Sequence, residues 1–292
     1  MMRRRRLLQI LAAAVLAPAA ARSDETRIAL GAEARMTLYG PAEITSRARA
    51  RAWAEMARIE RIFSLHDPAS VLSRLNATGR LDEPPPELVE VLVMADRLHD
   101  ATGGRFDPTV QPLWLAHATG GDVAAARAVL GWDGVTVSRD AITLRPGQAL
   151  TLNGIAQGYA TDRVTQVLAE EGLHHALVEI GEFRALSGPF RLGVEDPEFG
   201  QLGQLTLSDR ACATSSPKAM VLPDGSGHIL DPAGGAPVWS SVTVAAPTAA
   251  LADGLSTALC LATAEAARGI LDRCGPGLRA TAISRHGELL TL

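Results

Sequence analysis

Asp253 and Thr257 stand four positions apart in Ala252-Asp253-Gly254-Leu255-Ser256-Thr257-Ala258-Leu259. The stretch reads as a helix, and that spacing puts a carboxylate and a hydroxyl on one helix face. Both are hard oxygen donors suited to Mg²⁺, which takes few protein ligands and completes its shell with water and substrate phosphates. Taken alone the pair is weak, because a solvent-facing Asp near a helix start is favoured by the dipole anyway. A second segment is Leu152-Asn153-Gly154-Ile155-Ala156-Gln157-Gly158-Tyr159-Ala160-Thr161-Asp162. It reads as a strand end, a turn of small residues and the first turn of a helix. Such a turn lets backbone approach a ligand closely and aims free N–H groups at an anion. His228, just before Ile229-Leu230-Asp231-Pro232, is more simply structural than catalytic, and Asp107 before Pro108 is most simply a turn former. His174 and His175 read as ordinary loop residues.

Several elements must position these groups. Trp53, Met56, Ile59 and Phe63 recur at helical spacing within residues 46–63. A second helix is expected over 86–101, started after Pro84-Pro85-Pro86 and ended near Gly103-Gly104. Residues 106–110 are extended or turning. A short helix around 123–131 leads to paired strands near 135–138 and 142–145. The helix after Gly154 runs to about Glu171, with Gly172 as its stop. Residues 177–180 read as a buried strand, and 185–230 as a meander with a hairpin turn at Asp224-Gly225. A strand over 241–245 precedes a helix capped by Thr248 and running through about Ala262. A further helix covers 264–273, and the chain closes on a hairpin turning at His286-Gly287. This order predicts an α+β fold, one domain of mixed, mostly antiparallel sheet with packed helices over residues 22–292.

Composition sets the outer limits. The chain has 292 residues, 47% hydrophobic and 21% charged, enough for a packed core. Aromatics are only 4%, so that core rests on Leu, Val, Ile and Ala. The formal charge of −4 leaves no basic footprint and argues against nucleic-acid binding. Residues 1–21 have the form of an export signal: Arg3 to Arg6, an apolar run closed by Pro18, then Ala19-Ala20-Ala21 as a cleavage site. The apolar run is too short to span a bilayer comfortably, and Arg5-Arg6-Leu7-Leu8-Gln9 resembles a twin-arginine signal. The expected location is outside the cytoplasm, in the periplasm, with membrane contact only through the signal or a membrane-bound partner. Cys212, Cys260 and Cys274 allow one disulfide, although three structural cysteines is the simpler reading, and no spacing suggests zinc.

The motifs also occur in a particular order. Arg61-Ile62-Phe63-Ser64 through Pro68, Leu72-Ser73-Arg74-Leu75-Asn76 and Phe106-Asp107-Pro108-Thr109-Val110-Gln111-Pro112-Leu113 come first. The Asn153 to Ala160 turn, Ala213-Thr214-Ser215, His228 to Pro232 and Ala252 to Leu259 follow. Across nearly the whole mature chain this series resembles the flavin transferase family once described as thiamine-biosynthesis lipoproteins and now as FAD:protein FMN transferases. The resemblance implies cleavage of the FAD diphosphate, delivery of FMN to a Thr or Ser hydroxyl of an acceptor flavoprotein, and release of AMP. It implies Mg²⁺ held by Asp253, Thr257 and the Gly154 backbone carbonyl. It implies FAD along Tyr39, His66, Arg105, Phe106, Asp107, Thr151, Gln157 and Ile229. No catalytic residue beyond these is assigned.

The chain also departs from the family pattern. Thr151 stands where Asp is usual, Gln157 where Lys is frequent, and His66 where Tyr is usual. Ile180-Gly181-Glu182 has one glycine of a usual pair, and Ala250 leaves a further acidic position empty. Two alternatives therefore accompany the transferase reading: an exported flavin-binding accessory protein without transfer, and an FAD diphosphatase in which water replaces the acceptor hydroxyl.

Overall fold

A computed structural model describes residues 22–292; the expected export signal, residues 1–21, lies outside them. The described chain opens on a hairpin of β1 (Arg22–Ala29) and β2 (Ala32–Tyr39). Its two-residue turn is Leu30-Gly31, with φ of 47° and 72°. That left-handed pair matches the twist of the flanking strands. The Leu30 N–H donates to Glu60 Oε1 at 3.0 Å, which ties the turn to α1 (Ala42–Phe63). α1 buries Trp53, Met56, Ile59 and Phe63, the face its spacing predicts.

Next come α2 (Val71–Thr78), β3 (Arg80–Asp82), α3 (Pro86–Thr102), α4 (Gln111–Thr119) and α5 (Val123–Ala128). β4 (Val135–Val137) and β5 (Ala141–Leu144) lead to α6 (Ala156–Glu170). β6 (Ala176–Ile180), β7 (Phe183–Leu186), β8 (Phe190–Asp196), β9 (Gly200–Leu207) and β10 (Ala211–Ser215) form the meander. β11 (Ser241–Ala246), α7 (Ala249–Leu259), α8 (Ala264–Cys274), β12 (Arg279–Ile283) and β13 (Leu289–Thr291) complete the chain.

Eight strands make the main sheet, in the order β1-β2-β6-β7-β10-β11-β12-β13, and every ladder in it is antiparallel. A small sheet β3-β5-β4 and the β8-β9 ribbon stand beside it. The side-chain alternation of β6 divides the interior. Ala176, Val178 and Ile180 join the main core with α1, α6 and α7. Leu177 points to the other face and joins a smaller cluster of Phe183, Phe190, Leu192 and Leu207. The α+β class and the single domain are as expected.

One local expectation fails. No strand precedes the Gly154 turn, because residues 145–155 are irregular. Asn76 takes the hydrogen bonds a strand partner would have made: its Nδ2 donates to the Leu150 carbonyl at 2.8 Å, and its Oδ1 accepts from the Leu150 N–H at 2.7 Å. The β1–β2 hairpin, α2 and α4 were not foreseen; α2 and α4 are short, whereas β2 does alternate, with Ala34, Met36 and Leu38 buried between Glu33, Arg35 and Thr37. All three cysteines are free thiols. Among the described residues, no helix is long and apolar enough to cross a membrane.

Candidate active site

The site is built where the N-terminal turn of α6 meets the body of α7. Gly158 lets the two helices touch: a Cβ there would lie 2.4 Å from the Ala249 carbonyl oxygen. The start of α7 is fixed from α6, because Asp162 Oδ1 and Oδ2 accept from the N–H groups of Ala249 and Ala250, each at 2.9 Å. A carboxylate at a helix N-terminus also complements the dipole. The tie runs in the other direction as well. Asp253 Oδ2 on α7 accepts from the Gly158 N–H at 3.1 Å, one of the first-turn amides that α6 cannot satisfy internally.

Asp253 is buried, at 3% exposure, so the reading of it as a solvent-facing helix residue does not hold. Burial pushes its carboxyl from the ordinary 3.8 up to about 7, against the downward pull of the Gly158 N–H. Glu182, on the turn between β6 and β7, is 5% exposed. Burial and the neighbouring Asp253 charge drive its carboxyl upward too. Among the described residues, neither carboxylate forms a salt bridge with Arg, Lys or His. Two buried acids share one neighbourhood with no cationic side chain beside them.

Thr257, one turn beyond Asp253, faces the Gly154 turn. A Cβ at Gly154 would lie 3.0 Å from Thr257 Oγ1 and 3.4 Å from the Phe106 ring. The missing side chain thus keeps the backbone of this turn open toward the hydroxyl. Ser215, at the end of β10, lies beneath: its Oγ is 3.2 Å from Thr257 Oγ1 and 2.8 Å from Ser256 Oγ. Ser256 Oγ in turn donates to the Asp253 carbonyl at 3.0 Å.

A cleft opens beside this cluster, lined by Leu30, Phe63, Ser64, Leu65, His66, Asn153, Ala156 and Gln157. It brings together His66 and Gln157 of the predicted flavin residues. The Gln157 amide reaches across to Gly181, whose φ of 82° and lack of a side chain leave room for it. Thr151 joins the loop at Pro108 to the turn: its N–H donates to the Pro108 carbonyl at 2.8 Å, and its Oγ1 accepts from the Asn153 N–H at 3.3 Å. Phe106 is buried against Gly154. Asp107 behaves as the turn former its sequence suggests, Oδ1 accepting from the Thr109 N–H at 2.8 Å and from Thr109 Oγ1 at 2.7 Å. Arg105 turns its guanidinium back to the Thr102 carbonyl at 3.0 Å. Ile229 is buried in the main core, and His228 Nδ1 lies 3.1 Å from the Pro217 carbonyl.

Tyr39 does not line this cleft. It closes β2 at the end paired near Ala176, whereas Gly181 follows the opposite end of β6, where Ile180 pairs with Ala34. Its ring packs instead on His175, with centroids 4.6 Å apart, and toward Phe190 at 6.2 Å. The β2 residue order explains the displacement: the strand end that reaches the cleft is the Leu30-Gly31 turn. Leu30, Ser215 and Glu182 were not predicted as site residues. Leu30 had a usable signal in the adjacent Gly31. Ser215 and Glu182 needed the sheet register.

Residues 30–282 match the model of the ApbE family. The chain belongs to that family. It is 30% identical over 232 residues to the FAD:protein FMN transferase of Haemophilus influenzae, covering 68% of this chain and 67% of the relative. The crystal structure of the ApbE protein from Thermotoga maritima superposes with a TM-score of 0.83 at 26% identity, covering 93% of this chain and 97% of the other. The apo flavinyl transferase ApbE of Pseudomonas stutzeri gives 0.79 at 25% identity, covering 93% and 95%. In this ApbE-family protein Thr151 and Gln157 stand on the two margins of the Gly154 turn, with Asp253 buried and Thr257 half-buried between them and α7.

Proposed function

We propose that this protein uses Mg²⁺ to move the FMN moiety of FAD onto a Thr or Ser hydroxyl of an exported flavoprotein, releasing AMP. Transfer of FMN from FAD to a protein is the activity of the ApbE family. The metal, the hydroxyl and the exported acceptor are this chain's own proposed details. The observation that supports the metal is the convergence of a buried carboxylate with no cationic partner, Asp253, with the Thr257 hydroxyl on the open backbone of Gly154. Such a set of hard oxygen donors fits a divalent cation. Asp253, Thr257 and the Gly154 carbonyl would hold it. An ion held there would supply charge neutralisation at a bound diphosphate.

The chain's own residues do the positioning. The cleft from Leu30 to Gln157 offers an apolar wall and an exposed imidazole, His66, for a flat ring system. The amides at the start of α6 are largely engaged inside the protein, those of Ile155 and Ala156 by the Leu152 carbonyl and that of Gly158 by Asp253, so the expected set of free N–H groups is not there and the anionic part of a ligand would be met mainly by the cation. In the transfer, the acceptor oxygen would form the new bond to the FMN phosphorus, the bridging P–O bond would break with its electrons passing to the AMP phosphate, and the hydroxyl proton would pass to that phosphate or to water. Gln157 in place of a cation supplies a hydrogen bond rather than a charge. Export to the periplasm is proposed from the Arg3–Arg6 and apolar pattern of the first residues.

Incubation of the mature protein with FAD, Mg²⁺ and a candidate acceptor should give a covalently fluorescent acceptor and stoichiometric AMP. Without an acceptor, AMP should stay at background; FMN and AMP in its absence would assign a diphosphatase instead. If no acceptor is labelled and Asp253→Ala behaves as wild type, the reading fails.

A further inference from the structure

We propose that Glu182 is a second carboxylate ligand of the cation assigned to Asp253, Thr257 and Gly154, an inference that rests on that magnesium reading. Glu182 sits on a tight turn, where the Ile180 N–H donates to the Glu182 carbonyl at 3.0 Å and Gly181 adopts φ of 82°. The side chain is carried inward rather than to solvent, at 5% exposure. The β7–β10 register, Cys212 opposite Phe183, sets Glu182 beside Ala213 and Thr214, where the Thr214 amide draws its carboxyl down and the Asp253 charge on α7 drives it up. Thr214 directly precedes Ser215, whose hydroxyl meets Thr257. The Glu182 carboxylate therefore lies at the junction that joins both α7 donors to the sheet.

One of its oxygens, Oε2, is buried with no hydrogen-bond partner. Buried polar atoms are nearly always satisfied, so an orphaned carboxylate oxygen marks a missing proton or a missing cation. A divalent cation serves both acids, and magnesium sites commonly use one or two carboxylates.

The test is titration of the metal-stripped full-length protein with MgCl₂ alone, followed by calorimetry and by the shift in Tm. Glu182→Gln should bind Mg²⁺ at least tenfold more weakly, since loss of a supporting ligand costs ten- to a hundredfold. Its metal-free Tm should equal or exceed that of wild type. Glu182→Asp, which keeps the charge and withdraws it by one methylene, should show a smaller loss; if the Gln variant does not fold, the Asp variant decides. Unchanged Mg²⁺ affinity in these variants, with Asp253→Asn losing it, overturns the role of Glu182 alone. Wild-type protein that binds no Mg²⁺ overturns the magnesium reading and this inference together.

Discussion

Asp253 owes its chemistry to being buried next to an amide rather than next to a cation. Its folded pKa of about 7 lies above the ordinary 3.8, so the folded metal-free protein holds a proton that the unfolded chain has released across that window. Stability of the metal-free fold therefore falls as pH rises from about 4 to 7. Asp253→Asn should flatten that fall, keep or raise the metal-free Tm at pH 8, and lower AMP release by at least ~100-fold, in the range seen when one transition-state charge stabiliser is lost. Thermal melts across pH and an AMP assay check the two halves separately. Gly154→Ala should leave the fold intact yet cut AMP release about tenfold or more, because the new Cβ would stand 3.0 Å from Thr257 Oγ1. The Asp253/Thr257 pair was legible in the sequence through its spacing and its neighbours. Its burial was not, because burial of Asp253 depends on Gly158 ninety-five positions away.

α6 and α7 behave as one unit. Gly158→Ala would drive a Cβ to within 2.4 Å of the Ala249 carbonyl, a backbone atom with no rotamer to yield. The expected cost is ~1–3 kcal/mol or more from overpacking, read as a lower denaturant midpoint. A different element is held by Arg127 of α5. Its Nη1 donates to the carbonyls of Asp231 at 3.1 Å and Pro232 at 2.8 Å, pinning the loop that follows Ile229. Arg127→Ala should change Tm by less than ~1 kcal/mol-equivalent, as a part-exposed contact does, while amide exchange in residues 228–235 accelerates. The longer helices, α1, α3, α6, α7 and α8, were legible from their apolar periods and from stops such as Gly172, while α2 and α4 were not. The coil before α6 was not, because Asn76 of α2 satisfies its backbone through side-chain hydrogen bonds that no local pattern announces.

Over the whole molecule, the sequence carried the α+β class because helical and alternating periods follow one another without a break in composition. The strand order was hidden, since β2 pairs with β6 across more than a hundred residues. The cysteines give a global check. Cys212 and Cys260 are buried and their thiols are pushed upward by burial, whereas Cys274 is only part-buried. A thiol reagent at pH 8 should modify at most Cys274 in the native protein, all three after unfolding, and added reductant should leave Tm unchanged. The 95-residue separation between Gly158 and Asp253 has its own outcome. An unfolded chain holds none of this constellation, so whatever ion settles there rewards only the finished fold. At a hundred times its Kd such an ion adds about 2.7 kcal/mol. The supply of the ion would then govern how long each molecule survives proteolysis as well as how fast it works, and scarcity would show first as lost protein.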